Sequence, residues 1–255
     1  MKVTFLGTGT SQGVPVIACA CQVCKSMDFR DKRLRTSVHI ELDGLSLVID
    51  TGTDFRQQML RANIQQLDAI LFTHQHKDHT GGLDDIRPFY FKQRMKDIPI
   101  YAHKDVIAAL RREYEYIFSE KKYPGIASVE TIEIENQPFY IKNIEIIPIQ
   151  VMHHKLPIFG FRFKNFTYIT DANYISPEEI KKIEGTEVLV LNALHHQPHL
   201  SHFTLAEALE VAKRIGARQT YFTHISHQMG LHRVVEKLLP PRFYLAYDGL
   251  VLTLD

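Results

Sequence analysis

The sequence contains no apolar run approaching the roughly 18 residues that a membrane span needs, so a transmembrane protein is not expected. Nor is there an excess of one charge. Thirty Lys and Arg against 29 Asp and Glu leave a net charge of +1. No global basic field would draw in nucleic acid or an anionic membrane. Cysteine is scarce, three residues in all, crowded at Cys19, Cys21 and Cys24. An odd, tightly packed set is a poor disulfide framework and a better metal site. The opening MKVTFLGTGT reads as a strand running into a glycine loop, without the apolar stretch and cleavage site of a signal peptide. The expected location is therefore the cytoplasm. What remains is an ordinary globular balance, 45% hydrophobic and 23% charged over 255 residues. That length is long for one domain and short for two. Histidine is plentiful, at 14, and most of it sits at the ends of apolar runs.

The apolar runs alternate between strands and helices. SVHIELD and LSLVID read as a hairpin around Asp43-Gly44, a strong two-residue turn signal. A helix is expected over about 54–62, and LDAILFTH reads as a buried strand ending on His74. Residues 87–125 are basic on balance and interleaved with Phe and Tyr, which predicts a largely helical excursion serving as a lid, an insertion or a subunit contact. The second half is rich in strands: TIEIE, FYIKNIEIIPIQV, FGFRF, FTYITD, VLVLNAL and TYFTH. Ser176-Pro177 opens one helix, and the capping box Thr204–Glu207 opens another that stops at Gly216. A helix over 231–239 and a closing hairpin, FYLAY and LVLTL around Asp248-Gly249, are expected last. The halves echo each other: VIDT at Asp50 and YITD at Asp171, LFTH at His74 and YFTH at His224. The echo points to two β-rich halves with helices outside.

The densest chemistry lies in Thr73-His74-Gln75-His76-Lys77-Asp78-His79. His74 and His76 follow a strand at i and i+2 and leave the backbone on one side. The chain then turns, so Asp78 and His79 can face a second position. One segment can thus offer two ligands to each of two metals, which in hydrolytic pairs lie roughly 3.5–4 Å apart. Such a pair lowers the pKa of a shared water toward about 7 and yields hydroxide at neutral pH.

The pattern HxHxDH resembles that of the metallo-β-lactamase superfamily. The resemblance implies an α/β (α+β) fold, a four-layer αβ/βα sandwich of two mixed β-sheets with outer helices, formed by residues 1–255 as one domain. It implies a third histidine in Val151-Met152-His153-His154, with His153 favoured and His154 open. It implies a bridging carboxylate at Asp171 and a late ligand at His224. One metal would take His74, His76 and His153, the other Asp78, His79 and His224. Asp50 would brace the loop. Within the superfamily the chain is similar to the PhnP-type phosphodiesterases, in GTGTSQGVP, CACQVC, THQHKDH, SHFTLAEAL and THISHQ. That similarity implies a structural zinc on Cys19, Cys21, Cys24 and His227, a closed tetrahedral set. It also implies a homodimer, and a phosphate-contacting or leaving-group role for His202, beside a helix N-terminus that favours anions.

The expected activity is therefore hydrolysis of a small or cyclic phosphodiester, with zinc, manganese or iron in the pair. Asp78 or Asp171 would orient the nucleophile and His202 would assist the leaving group. Nucleic acid and membrane are not expected partners. A tRNA-processing nuclease shares HxHxDH but would carry a flexible Gly/Pro-rich arm, for which only residues 87–125 could substitute. A cofactor-biosynthesis protein of the PqqB type and a thioester or lactone hydrolase are the other readings. His195, His196 and His199 crowd the His202 loop, whereas His39, His103 and His232 read as structural or surface residues.

Overall fold

The structure is a computed structural model that describes residues 1–119 and 123–254. Its contacts divide the chain into two compact units. One comprises Met1–Gly7, Arg35–Glu135 and Gly249–Asp255; the other comprises Thr8–Leu34 and Asn136–Asp248.

The first unit is built on a mixed sheet. Its strands are β1 (Lys2–Gly7), β2 (Ser37–Leu42), β3 (Leu45–Ile49), β4 (Ala69–Leu71), β5 (Ile98–Ala102) and β6 (Val129–Glu133), with Val251–Thr253 added beside β1. β1, β2 and β3 pair antiparallel, and β3 to β6 pair parallel. The turn between β2 and β3 is the expected one. Asp43 and Gly44 both take positive φ, 49° and 79°, as a primed two-residue turn requires. Leu47, Val48 and Ile49 of β3 and all of β4 are fully buried, the continuous apolar reading typical of parallel strands. These runs end at Asp50 and at Thr73-His74, so polar chemistry begins where the buried strands stop.

The second unit is built on a second mixed sheet. Its strands are β7 (Phe139–Ile141), β8 (Ile144–His153), β9 (Leu156–Phe163), β10 (Phe166–Tyr168), β11 (Tyr174–Ile175), β12 (Val188–Asn192), β13 (Gln219–Thr223) and β14 (Phe243–Leu245). β10, β12, β13 and β14 run parallel, whereas β8 pairs antiparallel with β7, β9 and β11. The helix Leu205–Ile215 opens with the expected capping box. Thr204 accepts from the Glu207 amide, Glu207 reaches back to the Thr204 amide, and Gly216 ends the helix at φ 74°. The helix Pro177–Ile183 begins on Ser176, as its sequence predicts. Two mixed sheets with flanking helices form the fold class expected.

Four expectations need correction. The 87–125 segment is not a helical excursion. It contains β5 in the sheet, between helices Arg87–Lys92 and Lys104–Glu113. Its Phe89, Ile98, Ile100, Val106, Leu110 and Ile117 belong to the first unit's core. Glu120, Lys121 and Lys122 of that segment lie outside the described residues. The closing hairpin does not form either: β14 pairs with β13 in one sheet, and Val251–Thr253 pairs with β1 in the other. The Asp248-Gly249 turn itself forms, with Gly249 at φ 89°, and the Asp248 carboxylate accepts from Thr8 Oγ1 at 2.7 Å and from the Leu34 amide at 2.8 Å, but the two flanking strands find partners other than each other. The helix over 231–239 shrinks to one α turn, His232–Val235, followed by a 3₁₀ turn, Glu236–Leu238, before Pro240. The strand expected to end on His74 is short: β4 ends at Leu71, and its last backbone bond to β5 runs from the Phe72 amide to the Tyr101 carbonyl.

Two buried histidines make stability sensitive to acid. His39 donates Nε2–H to Ser46, whose hydroxyl is spent on the Gln66 carbonyl, and burial pulls its imidazole down to about 4. Burial does the same to His232. Below an unfolded value near 6.5 the unfolded chain binds the extra protons, so the contribution is complete above pH 6.5 and is lost as pH falls toward about 4. Between pH 6.5 and 5 the native protein should lose about 2 kcal/mol more than His39→Asn in urea titrations. Equal slopes for the two proteins would contradict this assignment.

Candidate metal centre

In the first unit, Asp50 organises the histidine segment. It follows β3 at φ 64° and is fully buried. Positive φ is uncommon outside glycine, and aspartate tolerates it better than most. Its Oδ1 accepts from the Thr73 amide at 2.9 Å, and its Oδ2 accepts from Thr73 Oγ1 at 2.8 Å and from His79 Nδ1 at 2.7 Å. Thr73 Oγ1, having donated its proton, accepts from His74 Nδ1 at 2.9 Å. Both imidazoles are thereby fixed with the proton on Nδ1 and a lone pair on Nε2, the arrangement of a metal-binding histidine. His74 Nε2 lies 3.0 Å from His76 Nδ1, and His79 Nε2 lies 3.2 Å from Asp78 Oδ2. Burial raises the Asp50 carboxyl, and the charge and hydrogen bond of His79 pull against that. Gly52 permits the close packing of this loop, since a Cβ there would run into the Asp78 carbonyl oxygen.

In the second unit, Asp171 takes the central place. It lies just beyond β10 at φ 58° and is buried. Its Oδ1 accepts from His202 Nε2 at 3.0 Å and lies 3.0 Å from His224 Nε2. Its Oδ2 accepts from Thr170 Oγ1 at 2.6 Å. His224 follows β13 at φ 55°. His153 ends β8 and donates Nδ1–H to the carbonyls of Asp171, at 2.7 Å, and Ser201, at 3.0 Å, again leaving Nε2 as the lone-pair end. His153, Asp171 and His202 offer atoms within 4.8 Å of one another. His154 is exposed, with its amide on Asn173, so of the pair only His153 joins this group. The His202 ring stacks on His224 with centroids 4.7 Å apart. Burial pulls His202 down to about 4 against the pull of its hydrogen bond to Asp171, so it is a neutral donor at neutral pH.

The same unit brings Cys19, Cys21, Cys24 and His227 together. His227 Nδ1 is 3.3, 3.4 and 3.6 Å from the three sulfurs in that order. The Cys24 amide, then His227, pull the Cys21 thiol down to about 6, whereas burial pushes Cys24 up to about 11. Three sulfurs converging on one imidazole nitrogen fit a closed tetrahedral zinc set. Among the histidines the sequence leaves aside, His103 caps the helix Lys104–Glu113 and His196 donates to the Met229 carbonyl. Sequence reasoning does not find Thr73. Its signal is the repeated Phe-Thr-His, in which a threonine precedes both His74 and His224.

Residues 46–225 match the Beta-lactamase superfamily domain. The chain belongs to the beta-lactamase superfamily. Over its whole length this superfamily member is also similar to a solved structure described as a new diphosphatase from the PhnP family. The two are 39% identical with a TM-score of 0.93, covering 100% of this chain and 98% of that one. An octanoyltransferase of Porphyromonas gingivalis (strain ATCC BAA-308 / W83) is 38% identical over 258 residues, covering 100% of this chain and 52% of that protein. A ribonuclease Z of Prochlorococcus marinus (strain AS9601) is 23% identical over 192 residues, covering 74% of this chain and 55% of that protein. The chain spans about half the length of the curated relatives it matches. Among the described residues no helix is long and apolar enough to cross a membrane.

Proposed function

We propose that the chain is a dinuclear-metal hydrolase of small or cyclic phosphodiesters. The observation that carries this reading is Asp171, one carboxylate oxygen within 3.0 Å of two imidazole nitrogens. In this reading His74, His76 and His153 would hold one divalent cation, Asp78, His79 and His224 would hold the other, and Asp171 would serve both. Zinc, manganese and iron all suit such donors. The cations, when bound, supply an activated water and positive charge against the phosphoryl oxygens.

The chain's own residues do the rest. Asp50 and Thr73 keep His74 and His79 in one tautomer. Asp78 or Asp171 orients the nucleophile by accepting its hydrogen bond. His202, whose Nε2–H is donated to Asp171 Oδ1 at 3.0 Å, would exchange that acceptor for the phosphoryl or leaving oxygen once Asp171 is engaged by the cations, a hydrogen bond that strengthens as charge develops there. A separate Cys19, Cys21, Cys24 and His227 zinc has a structural role.

A second reading has its own support. The whole chain is similar to about half of a protein named octanoyltransferase, which makes an octanoyl thioester a second substrate to test. Metal-loaded protein assayed on bis(p-nitrophenyl) phosphate, a nucleoside cyclic phosphate, a nucleoside diphosphate, an octanoyl thioester and precursor tRNA separates these. The expected result is turnover of the diesters, with kcat/KM on them at least tenfold above the other substrates. Preference for the thioester, or cleavage of the tRNA, would overturn the reading.

A further inference from the structure

Segments more than 200 residues apart in sequence supply the four donors of the thiolate site, and a buried polar cluster lies beside them. Arg33 is 4% exposed and Asp31 1%. The Arg33 guanidinium donates to Thr8 Oγ1 at 2.8 Å, to the Ala246 carbonyl at 2.6 Å and to His232 Nδ1 at 3.1 Å. Asp31 accepts from the His232 amide at 2.8 Å and from Ser26 Oγ at 2.6 Å. Ser26 is two residues past Cys24, and His232 is five past His227. Lys32 adds a bond from its ammonium to the Cys24 carbonyl at 3.0 Å.

We infer that Arg33, acting with Asp31 and His232, is the positioning residue that clasps the Cys19–Cys24 loop to the His227 loop and sets the thiolate donors before any cation arrives. This rests on the proposed zinc role of those four residues. Burial pulls the Arg33 guanidinium down to about 10, and the negative charges of Asp248 and Asp31 offset part of that cost. Asp31 links Ser26 to the His232 amide, and Arg33 holds the His232 ring against Thr8 and the Ala246 carbonyl. Apolar packing of Val14 and Val23, with Leu231 against them, covers the same junction but fixes no direction. The network also reaches a catalytic ligand. The Thr8 carbonyl accepts from the Ile225 amide at 2.9 Å, one residue past His224. A site whose loops are already joined binds its cation without ordering them, and outer partners of this kind typically carry about 10–100-fold in metal affinity.

The test uses Arg33→Lys, which keeps the charge but cannot form the three-way fork. Zinc affinity is measured by chelator competition, and cobalt is used as a probe of thiolate coordination through its charge-transfer absorption. The expected result is zinc bound about 10–100-fold more weakly, with a weakened cobalt band. Affinity within threefold of the unsubstituted protein would overturn the inference. A second measurement holds even if Arg33→Lys does not fold. In the metal-free triple variant Cys19→Ser, Cys21→Ser, Cys24→Ser, the His232 and Leu34 amides should stay protected from hydrogen exchange. Fast exchange there would show that the clasp depends on metal and would overturn it. An unsubstituted protein that holds no zinc would sink the zinc reading instead, and the exchange measurement would still decide the clasp.

Discussion

Asp171→Asn is expected to lower kcat/KM on a phosphodiester by on the order of 10²–10³-fold while the protein stays folded. The carboxylate accepts from His202, faces His224 and takes the Thr170 hydroxyl, so its charge gathers a whole set of donors. Asparagine keeps the side-chain shape and tolerates the left-handed backbone at φ 58°. The loss would therefore report the missing charge and not a displaced loop. Alanine would confuse the two by adding backbone strain of about 1–2 kcal/mol. His153 should stay in place in the asparagine variant, because it bonds to the Asp171 backbone carbonyl and not to the carboxylate. Activity within threefold of the unsubstituted enzyme would remove Asp171 from the centre.

The second large effect is on stability. Cys24→Ser is expected to lower Tm by about 8–16 °C in zinc-containing buffer. A cation present at 1,000 times its Kd stabilises the folded state by about 4 kcal/mol. For a chain of this size each kcal/mol moves Tm by about 2–4 °C. Cys24 is the sensitive position because it is the buried sulfur of the set, 6% exposed, with a thiol pushed up to about 11. Burial makes a lone thiolate there costly, and a cation offsets that cost. Serine offers an oxygen that stays protonated and ligates zinc poorly. The difference between the two proteins should vanish when a strong chelator is present. A drop in Tm that persists undiminished in chelator would mean that the sulfur serves packing alone.

Much of this was legible in the sequence, for physical reasons that vary by element. The capping box at Thr204–Glu207 and the Asp43-Gly44 turn are local, since a few neighbouring residues determine each. The His74–His79 segment is legible because its spacing has few structural uses. The preference for His153 over His154 came from a resemblance, and the structure adds the cause, a strand end that buries one ring and exposes the next. What escaped depends on distant partners. β5 was hidden because Pro99 interrupts Ile98 and Ile100, and charged residues flank them. The last strand looked like half of a hairpin because Asp248-Gly249 is a turn signal. The turn is there, but its flanks pair with β13 and β1, and Asp248 accepts from Thr8 and Leu34, more than 200 residues away. His232 read as an incidental histidine for the same reason, since its partner Arg33 lies 199 residues earlier.

Elemental analysis of freshly purified protein, before and after mild chelation, tests the metal account most directly. Three metals per chain are expected, with two removed together along with phosphodiesterase activity and one zinc retained. One metal or none before chelation, or full activity after both labile metals are gone, would contradict the dinuclear centre.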